Sequence, residues 1–486
     1  MKNNHAQRVA PATPPPSGRR PKPNIASRRV QGLSTRLVGY HELFASWFQR
    51  AEQRVWSLKY MQGQMLDLER KSIEPMARAL EDGNVQAMQQ FVSASPWEDQ
   101  EIIQVHQREV GKTLGEEDGM LIIDGSDFPK QGDRSVGVAH QHCGTLGKTA
   151  NSQAGVFLAY ASTRGHTLLD RRLYLPQKWF SPEYAAKREA CEIPETLTFQ
   201  TKNEEAWSML EPVLKEERLP CQWIVGDEFF GRDTKLLRQI AAYNKNYFVE
   251  IPCSTTVFWR KPRMLAPPKY SGTGRPATKP RLAPDAEAPQ RVDELVPLLK
   301  QKYWRRVIIK EGSKGPQEVE VAIVYVVFAH AGLPVGHEWL IVRRRSAQQS
   351  PEKWKYFRSN APKTTSWKKL ARLTAGRWPI ESTFAECKGE LGMDHYEVRN
   401  WRGWHHHMTM TMLSHHFLVR VRVEMGEEAP ALTVSQVRRI LNVILPKREF
   451  DAQAALEEIQ RTQQQNYAAY RSHRKRRLRR KRKKQT

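Results

Sequence analysis

Three acidic residues in this sequence have the types and positions that phosphodiester chemistry requires. Asp124 follows the apolar run MLII, Asp227 follows the run WIVG, and Glu381 lies in the segment RWPIESTFAECKGELG. Carboxylates at two strand ends and on one helix could converge on hard divalent cations, which prefer oxygen ligands. Two such ions activate a water or a hydroxyl group and stabilise the leaving oxygen of a phosphodiester. Each acid also has a simpler explanation as a turn former, a helix cap or a solvent-facing helix residue.

Basic residues flank the third acid at helical intervals. Arg377 lies four residues before Glu381 and Lys388 lies seven residues after it, so Glu381 and Lys388 share one helix face. Arg377 and Lys388 are candidate phosphate ligands, Arg377 through its two-pronged guanidinium. Because Pro379 fits the first turn of a helix, the helix is predicted to begin near Trp378, with Arg377 at its positively polarised end. The same spacing also fits ordinary ion pairs along a helix.

The charge of the chain indicates a polyanionic partner. Lys and Arg number 78 against 52 acidic residues, which gives a formal net charge of +26. Residues 471–486 hold eleven of the basic residues and no acid, so this tail is predicted to bind phosphates without regard to sequence. The candidate DNA-backbone contacts are Arg474, Arg476 and Arg480 in the tail, and Lys130 and Lys148, for which a solvated surface is the alternative.

Other features narrow the class of protein. No apolar run approaches the ~18 residues that a membrane span needs. The five cysteines are scattered singly, without zinc-ligand spacing, which favours reduced thiols in a cytoplasm. Three consecutive histidines point in three directions on a helix, so packing or DNA contact is favoured over a metal cluster for His405, His406, His407, His415 and His416.

Composition and periodicity divide the chain into seven predicted segments. They are a disordered basic arm (1–33), a helical domain that either binds DNA or is a plain scaffold (34–117), a first part of a mixed-sheet core (118–255), a β-rich insertion (256–345), a second part of the core (346–425), C-terminal helices (426–470) and a basic tail (471–486). Within the insertion, residues 261–290 hold seven prolines and are predicted to form an irregular, mobile loop. In the core, strands alternate with helices, which predicts an α/β fold with a mixed sheet flanked by helices.

Several blocks of the chain, in order, resemble a DDE transposase of bacterial insertion sequences. The narrower resemblance is to the IS-four superfamily group with the signature Y-x2-R-x3-E-x6-K. Arg377, Glu381 and Lys388 fall on its R, E and K, whereas its Y position holds Thr374. LIIDGSDFPKQG is similar to the strand of the first catalytic Asp, WIVGDEFFG to that of the second, and GMDHYEVRNWRGWHHHMTMTMLSHHFL to the block after the Glu.

The resemblance implies an RNase H-like core interrupted by the β-rich insertion, with helical N- and C-terminal regions. It implies that Asp124, Asp227 and Glu381 are catalytic and bind two Mg²⁺ ions, with Mn²⁺ as a substitute. The implied activity is cut-and-paste movement of a DNA element, on double-stranded DNA of the element ends and the target. Because two ends must be paired, we expect at least a homodimer in the DNA complex. The alternatives are a transposase-derived DNA-binding protein without cleavage and an RNase H-like endonuclease without strand transfer.

Overall fold

A large mixed β-sheet runs through the protein, as seen in a computed structural model that describes residues 25–267, 279–312, 315–345, 353–449 and 451–482. The strands in these ranges are β1 (Met120–Pro129), β2 (Ala139–Cys143), β3 (Lys148–Ala161), β4 (His166–Tyr174), β5 (Trp223–Gly226), β6 (Asn246–Ile251), β7 (Thr256–Phe258), β8 (Met264–Leu265), β9 (Arg281–Leu282), β10 (Gln290–Arg291), β11 (Trp304–Gly312), β12 (Gly315–His330), β13 (Leu333–Arg344) and β14 (Lys355–Ser359). Strands β8 and β9 pair with each other, and the remaining twelve form the large sheet.

Helices precede, flank and follow this sheet. In the same ranges they are α1 (Ser27–Gln31), α2 (Leu33–Ala45), α3 (Ala51–Met65), α4 (Ile73–Ala79), α5 (Val85–Ser93), α6 (Asp99–Leu114), α7 (Ala185–Ala190), α8 (Lys202–Lys215), α9 (Glu228–Gly231), α10 (Thr234–Ala242), α11 (Val292–Leu295), α12 (Trp367–Leu373), α13 (Trp378–Leu391), α14 (Trp401–Glu424), α15 (Val434–Ile444) and α16 (Ala452–Arg482). The predicted fold class, an α/β mixed sheet with helical N- and C-terminal regions, is confirmed.

Strand β1 lies at the centre of the part of the sheet that holds the two predicted catalytic aspartates. It pairs with β3 in antiparallel fashion on one side and with β5 in parallel on the other, and β6 continues in parallel beside β5. All four residues of β5 are buried, as are Leu121, Ile122 and Ile123 of β1. Parallel strands covered on both faces require such continuous apolar runs, which is why both were predictable from sequence.

The β-rich insertion extends the core sheet. Strand β14 pairs with β6 on one side and with β13 on the other, and β12 continues beside β13, all antiparallel. The insertion strands therefore lie in the same sheet as β1 and β5. The sequence analysis does not predict β14, because KYFRS is short and lacks a clear alternation. The predicted loop 261–290 contains β8 and β9, and its residues 268–278 lie outside the described ranges.

The N-terminal helices pack around α14, which is buried along most of its length. The Tyr60 hydroxyl lies 2.7 Å from Nδ1 of His407, and Gln64 donates to the Thr411 hydroxyl over 2.7 Å. Residues 1–24, most of the predicted disordered arm, lie outside the described ranges. In the part of the chain that is described, no helix combines the length and the apolar character that crossing a membrane would need.

Candidate active site

Asp124 and Asp227 lie side by side at one edge of the parallel strands. The parallel register of β1 and β5 ends with Ile123 opposite Gly226, so the next residue on each strand is an aspartate. The prediction that the strand ends before Asp124 was wrong, because β1 continues to Pro129. Its antiparallel ladder with β3 goes on, with Asp124 opposite Phe157. What ends at Asp124 is the pairing with β5, and this opens the edge of the sheet at the carboxylate.

Asp227 is fixed by its role as a helix cap. Its Oδ1 accepts hydrogen bonds from the backbone N–H groups of Phe229 (2.9 Å) and Phe230 (3.3 Å) at the start of α9. Burial raises the pKa of the Asp227 carboxyl, while these hydrogen bonds and the nearby Arg377 act in the opposite direction. One carboxylate oxygen is thus engaged by the backbone, which sets the direction in which the other one points.

Glu381 is presented by the first turn of α13. The helix begins at Trp378 with Pro379 in its first turn, as predicted. Its buried side carries Ile380, Phe384 and Cys387, which pack into the core, whereas the Glu381 side chain is half-exposed. Burial of that apolar side therefore leaves Glu381 at the open edge, near the two aspartates.

Arg377 joins the carboxylates. Its Nη1 donates to Oδ2 of Asp124 at 2.7 Å, and its Nη2 donates to Oε1 of Glu381 at 2.5 Å. Burial lowers the pKa of the Arg377 guanidinium, but the charges of Asp124, Glu381 and Asp227 raise it. The net effect is a raised pKa, so the group stays charged. The helix start and the central strand are thus connected through one cation.

Negative charge remains in excess at Asp124. Burial raises the pKa of its carboxyl to about 7, and the neighbouring Asp227 and Glu381 raise it as well, against the effect of Arg377. A carboxylate in such surroundings gains most from an added cation, because the cation offsets both the lost hydration and the like charges. The electrostatics of this edge therefore favour a bound metal ion or a further basic group.

The three carboxylates have the chemistry of a site for hard cations, but Arg377 sets the positions of two of them through its hydrogen bonds. Three carboxylates supply the oxygen ligands that Mg²⁺ and Mn²⁺ prefer. Within the described ranges, however, no three His, Cys, Asp or Glu side chains are grouped closely enough to hold a metal ion. The guanidinium lies between Asp124 and Glu381, where it supplies the positive charge that a metal ion would bring. The residues that would hold the ion are Asp124, Asp227 and Glu381.

Comparison with known proteins identifies the family. A family model described as DDE superfamily endonuclease matches residues 43–316, which is more than half of the chain. The chain belongs to the DDE superfamily endonuclease family. The matched range includes Asp124 and Asp227 and ends before Arg377 and Glu381. A comparison with curated proteins gives no match. The assignment to the Y-R-E-K signature group stays a prediction.

Lys388 is not brought to the carboxylates. Its Nζ lies 3.4 Å from the backbone oxygen of Asp127 and 5.2 Å from the centre of the Phe128 ring, at the far end of β1. Burial lowers the pKa of the Lys388 ammonium. In the described chain its contacts do not include Asp124 or Glu381. Glu381 and Lys388 therefore share a helix face, as the seven-residue spacing predicted. They lie too far apart along the helix to belong to one site.

Thr374, at the signature's Y position, makes its side-chain hydrogen bond within the local structure. It is buried, and its hydroxyl donates to the carbonyl oxygen of Ala371 over 2.7 Å at the end of α12. This hydroxyl thus supports the turn that leads into α13 rather than facing the open edge.

The remaining predicted DNA contacts are scattered. Lys130 places its Nζ 3.6 Å from the centre of the Tyr396 ring, and burial lowers its pKa to about 8. Lys148 is exposed at the start of β3, and Arg474 and Arg476 are exposed on α16, whereas the Arg480 side chain lies outside those described. Lys130 is thus held against an aromatic ring, while the exposed cations are free to meet a polyanion.

The histidines of α14 are packed within the helical region. His406 stacks on Trp97 with ring centres 3.6 Å apart, and its two ring nitrogens face the carbonyl oxygens of Val92 and Trp97. His415 lies between the Thr167 hydroxyl and a Glu386 carboxylate oxygen, each at 2.9 Å. Of the two predicted roles, packing or DNA contact, these internal contacts show packing. Burial lowers the pKa values of His405, His406 and His407.

Three charged residues beside the site are missed by sequence reasoning. Glu250 on β6, Arg343 on β13 and Lys355 on β14 line a cleft of about 270 Å³ together with Arg377 and Glu381. The pairing of β14 with β6 brings the last two strands to the core sheet, and no local motif signals that long-range contact. Only alternation along β13 and β14, combined with the correct sheet order, could have identified these residues.

Proposed function

We propose that the protein is a DNA transposase that binds terminal inverted repeats and catalyses metal-dependent cleavage and strand transfer. The observation that carries this proposal is the convergence of Asp124, Asp227 and Glu381 around Arg377 in a member of the DDE endonuclease family. Asp124 and Asp227 come from neighbouring parallel strands, and Glu381 comes from a helix more than 150 residues along the chain. Such an arrangement can position the reacting groups and stabilise the charge of the transition state, which is what phosphoryl transfer requires.

In the proposed first reaction, a water oxygen bonds to the phosphorus at the element end. The bond from phosphorus to the 3′ oxygen breaks, and the products are a free 3′-hydroxyl and a 5′-phosphate. Divalent cations, when bound, supply activation of the water and stabilisation of the leaving oxygen. Asp124, Asp227 and Glu381 hold the negative charge that would orient such cations, and the buried Ile380 anchors the turn of α13 that carries Glu381.

In the proposed second reaction, the freed 3′-hydroxyl oxygen bonds to a phosphorus of the target strand. The target bond from phosphorus to its 3′ oxygen breaks, so the number of phosphodiester bonds is conserved. Arg377 would bind the phosphate through its guanidinium, because the fork of N–H donors matches two phosphate oxygens. Two element ends must react together, so we expect two copies of the chain on the DNA.

The decisive experiment uses the protein with the inverted repeats that flank its gene, Mg²⁺ and a target plasmid, beside the Glu381→Gln variant. Joined products that the variant lacks are the expected result. Cleavage without joining would identify an endonuclease without strand transfer. Binding without cleavage, unaffected by Glu381→Gln, would overturn the enzymatic proposal and identify a DNA-binding protein.

A further inference from the structure

We propose that Arg343 and Lys355 form a phosphate-binding subsite for a DNA strand, next to the carboxylates and on the same face of the sheet. The inference rests on the proposed action on DNA and names the neighbouring strands β13 and β14 as the elements that supply this contact. Neither residue belongs to the site predicted from sequence. The subsite would take a phosphodiester group near the scissile one.

Strand register places the two cations on the face that carries Asp124. Arg343 lies directly opposite Lys355 in the pairing of β13 with β14, and Phe357 lies opposite Glu250 in the pairing of β14 with β6. Because side chains alternate along a strand and directly opposed residues share a face, this face can be followed from strand to strand. The register continues through Phe248, Val225 and Ile122, two residues before Asp124.

The cleft on this face has the chemical character of an anion site beside a cation site. Arg343, Lys355 and Arg377 contribute three positive charges, and Glu250 and Glu381 contribute two negative ones. The floor is formed by apolar side chains of Val225, Phe248 and Phe357. The basic groups of β13 and β14 thus face an open, partly apolar space, in which a charge-assisted hydrogen bond to phosphate is stronger than in bulk water.

Arg343 is held in place while most of its donors stay free. One Nη1 donates to the backbone oxygen of Thr374, and the guanidinium carbon lies 5.5 Å from the centre of the Phe357 ring. In the described chain it makes no other hydrogen bond, so the rest of its five N–H donors can meet a ligand. Burial lowers its pKa, which a phosphate would counteract.

Lys355 is restrained by an acid that DNA could displace. Its Nζ pairs with Oε1 of Glu250, and about half of the lysine side chain is exposed. The pair lies at the mouth of the cleft, so the lysine can leave Glu250 for a phosphate without a change in the backbone. Glu250 thereby limits how much positive charge the cleft presents.

The spacing of the strands identifies which phosphate the subsite would take. β14 and β13 lie three and four strands from β1. Neighbouring strands are ~4.8 Å apart, so their backbones lie roughly 14–19 Å from that of Asp124. The Arg343 and Lys355 side chains extend from these strands into the cleft that Arg377 and Glu381 also line. The subsite therefore fits a phosphate close to the bond that is cut, and it would position the strand rather than take part in the reaction.

The test measures DNA affinity at several salt concentrations, with chelator present so that cleavage plays no part. Arg343→Gln and Lys355→Gln should each weaken binding to any duplex sequence and reduce the slope of log affinity against log salt by about 1, the value for one phosphate contact. Arg343→Lys should restore the slope. Glu250→Gln should raise affinity, because it releases Lys355. Lys235→Gln is the matched control, since Lys235 is exposed on α10 and pairs with Glu204.

Thermal unfolding of each variant separates misfolding from loss of contact. Unchanged slopes for folded Arg343→Gln and Lys355→Gln, or weaker binding by Glu250→Gln, would overturn the subsite. The outcome is independent of the proposed transposase activity. Reduced slopes in a protein that never joins DNA would support the subsite and refute transposition. Joining of DNA with unchanged slopes would support transposition and refute the subsite.

Discussion

The guanidinium of Arg377 hydrogen-bonds to Asp124 and Glu381 simultaneously, at 2.7 and 2.5 Å. It therefore connects the central strand of the sheet to the first turn of α13, and its single positive charge partly offsets two of the three carboxylates that would bind a metal ion. A metal ion and this guanidinium compete for the same oxygens. Arg377 thus keeps Asp124 and Glu381 in position, and a metal ion would have to displace it from their oxygens.

Replacing Arg377 should strengthen metal binding in the absence of DNA. Arg377→Gln removes a positive charge a few ångströms from the metal position, which at an effective dielectric of about 20 is worth on the order of 1–4 kcal/mol. We expect Mn²⁺ to bind at least about tenfold more tightly, measured by calorimetry on metal-free protein. Arg78→Gln, which removes an arginine from an ion pair on α4, is the control. Weaker or unchanged Mn²⁺ binding by Arg377→Gln would show that the two cations do not compete.

Asp227→Asn should abolish cleavage without unfolding the protein. Asparagine caps helices about as well as aspartate, so the hydrogen bonds to Phe229 and Phe230 can persist while the carboxylate charge is lost. We expect cleavage to fall by about 10³-fold or more, the equivalent of roughly 4 kcal/mol in the transition state. The measurement is the single-turnover rate on a repeat-end duplex.

Asp233→Asn provides a matched control for that substitution. Asp233 caps α10 in the same way, through the backbone N–H groups of Lys235 and Leu236, but it has no contact with the three carboxylates. It should keep its cleavage rate, and both variants should keep their melting temperature. Equal losses of activity in the two variants would assign the effect to capping and remove Asp227 from the site.

Much of the site could be predicted because its signals are local. The runs MLII and WIVG are apolar since β1 and β5 are buried on both faces, and the proline in RWPIE marks the start of α13 at Trp378. These features placed Asp124, Asp227 and Glu381 in the right elements. Their approach to one another is not encoded in any segment of the chain, and it depends on the register of β1 with β5 and on the burial of α13.

The errors arise where long-range pairing decides the structure. Whether β1 stops at Asp124 depends on β3, which pairs with it as far as Pro129, and the sequence of β1 does not show this. Helical periodicity correctly put Lys388 on the face of Glu381. Only the packing of α13 along β1 shows that Lys388 reaches Asp127 and Phe128 instead of the carboxylates.

Glu205→Gln should make the protein more stable at alkaline pH. Glu205 on α8 is buried, its Oε2 accepts no hydrogen bond in the described chain, and burial raises its pKa to about 8 from its usual 4.5. The folded state therefore holds a proton that the unfolded state has released, so wild-type stability falls as the pH rises from about 4.5 to about 8. The loss is at most about 1.4 kcal/mol per pH unit.

Urea unfolding between pH 5 and pH 8.5 measures this difference. The stability of Glu205→Gln should lie close to that of the wild type at pH 5 and above it at pH 8.5. Glu211→Gln changes an exposed residue of the same helix and should follow the wild type throughout. If the free energy of unfolding changes with pH in the same way for the wild type and for Glu205→Gln over this range, the pKa of Glu205 is not raised by folding.

Removing residues 463–486 should weaken DNA binding without affecting the fold. The described side chains of α16 from Gln463 to Leu478 are all exposed, whereas the preceding Arg461 is tied to Glu74 and Glu458. Melting temperature should therefore stay unchanged. The eleven Lys and Arg residues of the tail are lost, so the slope of log affinity against log salt should fall by several units, at about 0.9 per phosphate contact.

Substitutions in the intact tail test the kind of contact it makes. Changing Arg474, Arg476 and Arg480 together to Gln should lower the slope by up to about 3, and changing them to Lys should preserve it, because sequence-independent phosphate binding depends on charge. Bidentate readout of bases depends on the arginine fork. A tail that loses sequence preference on Arg→Lys exchange while its salt slope is kept would therefore read bases, contrary to the prediction.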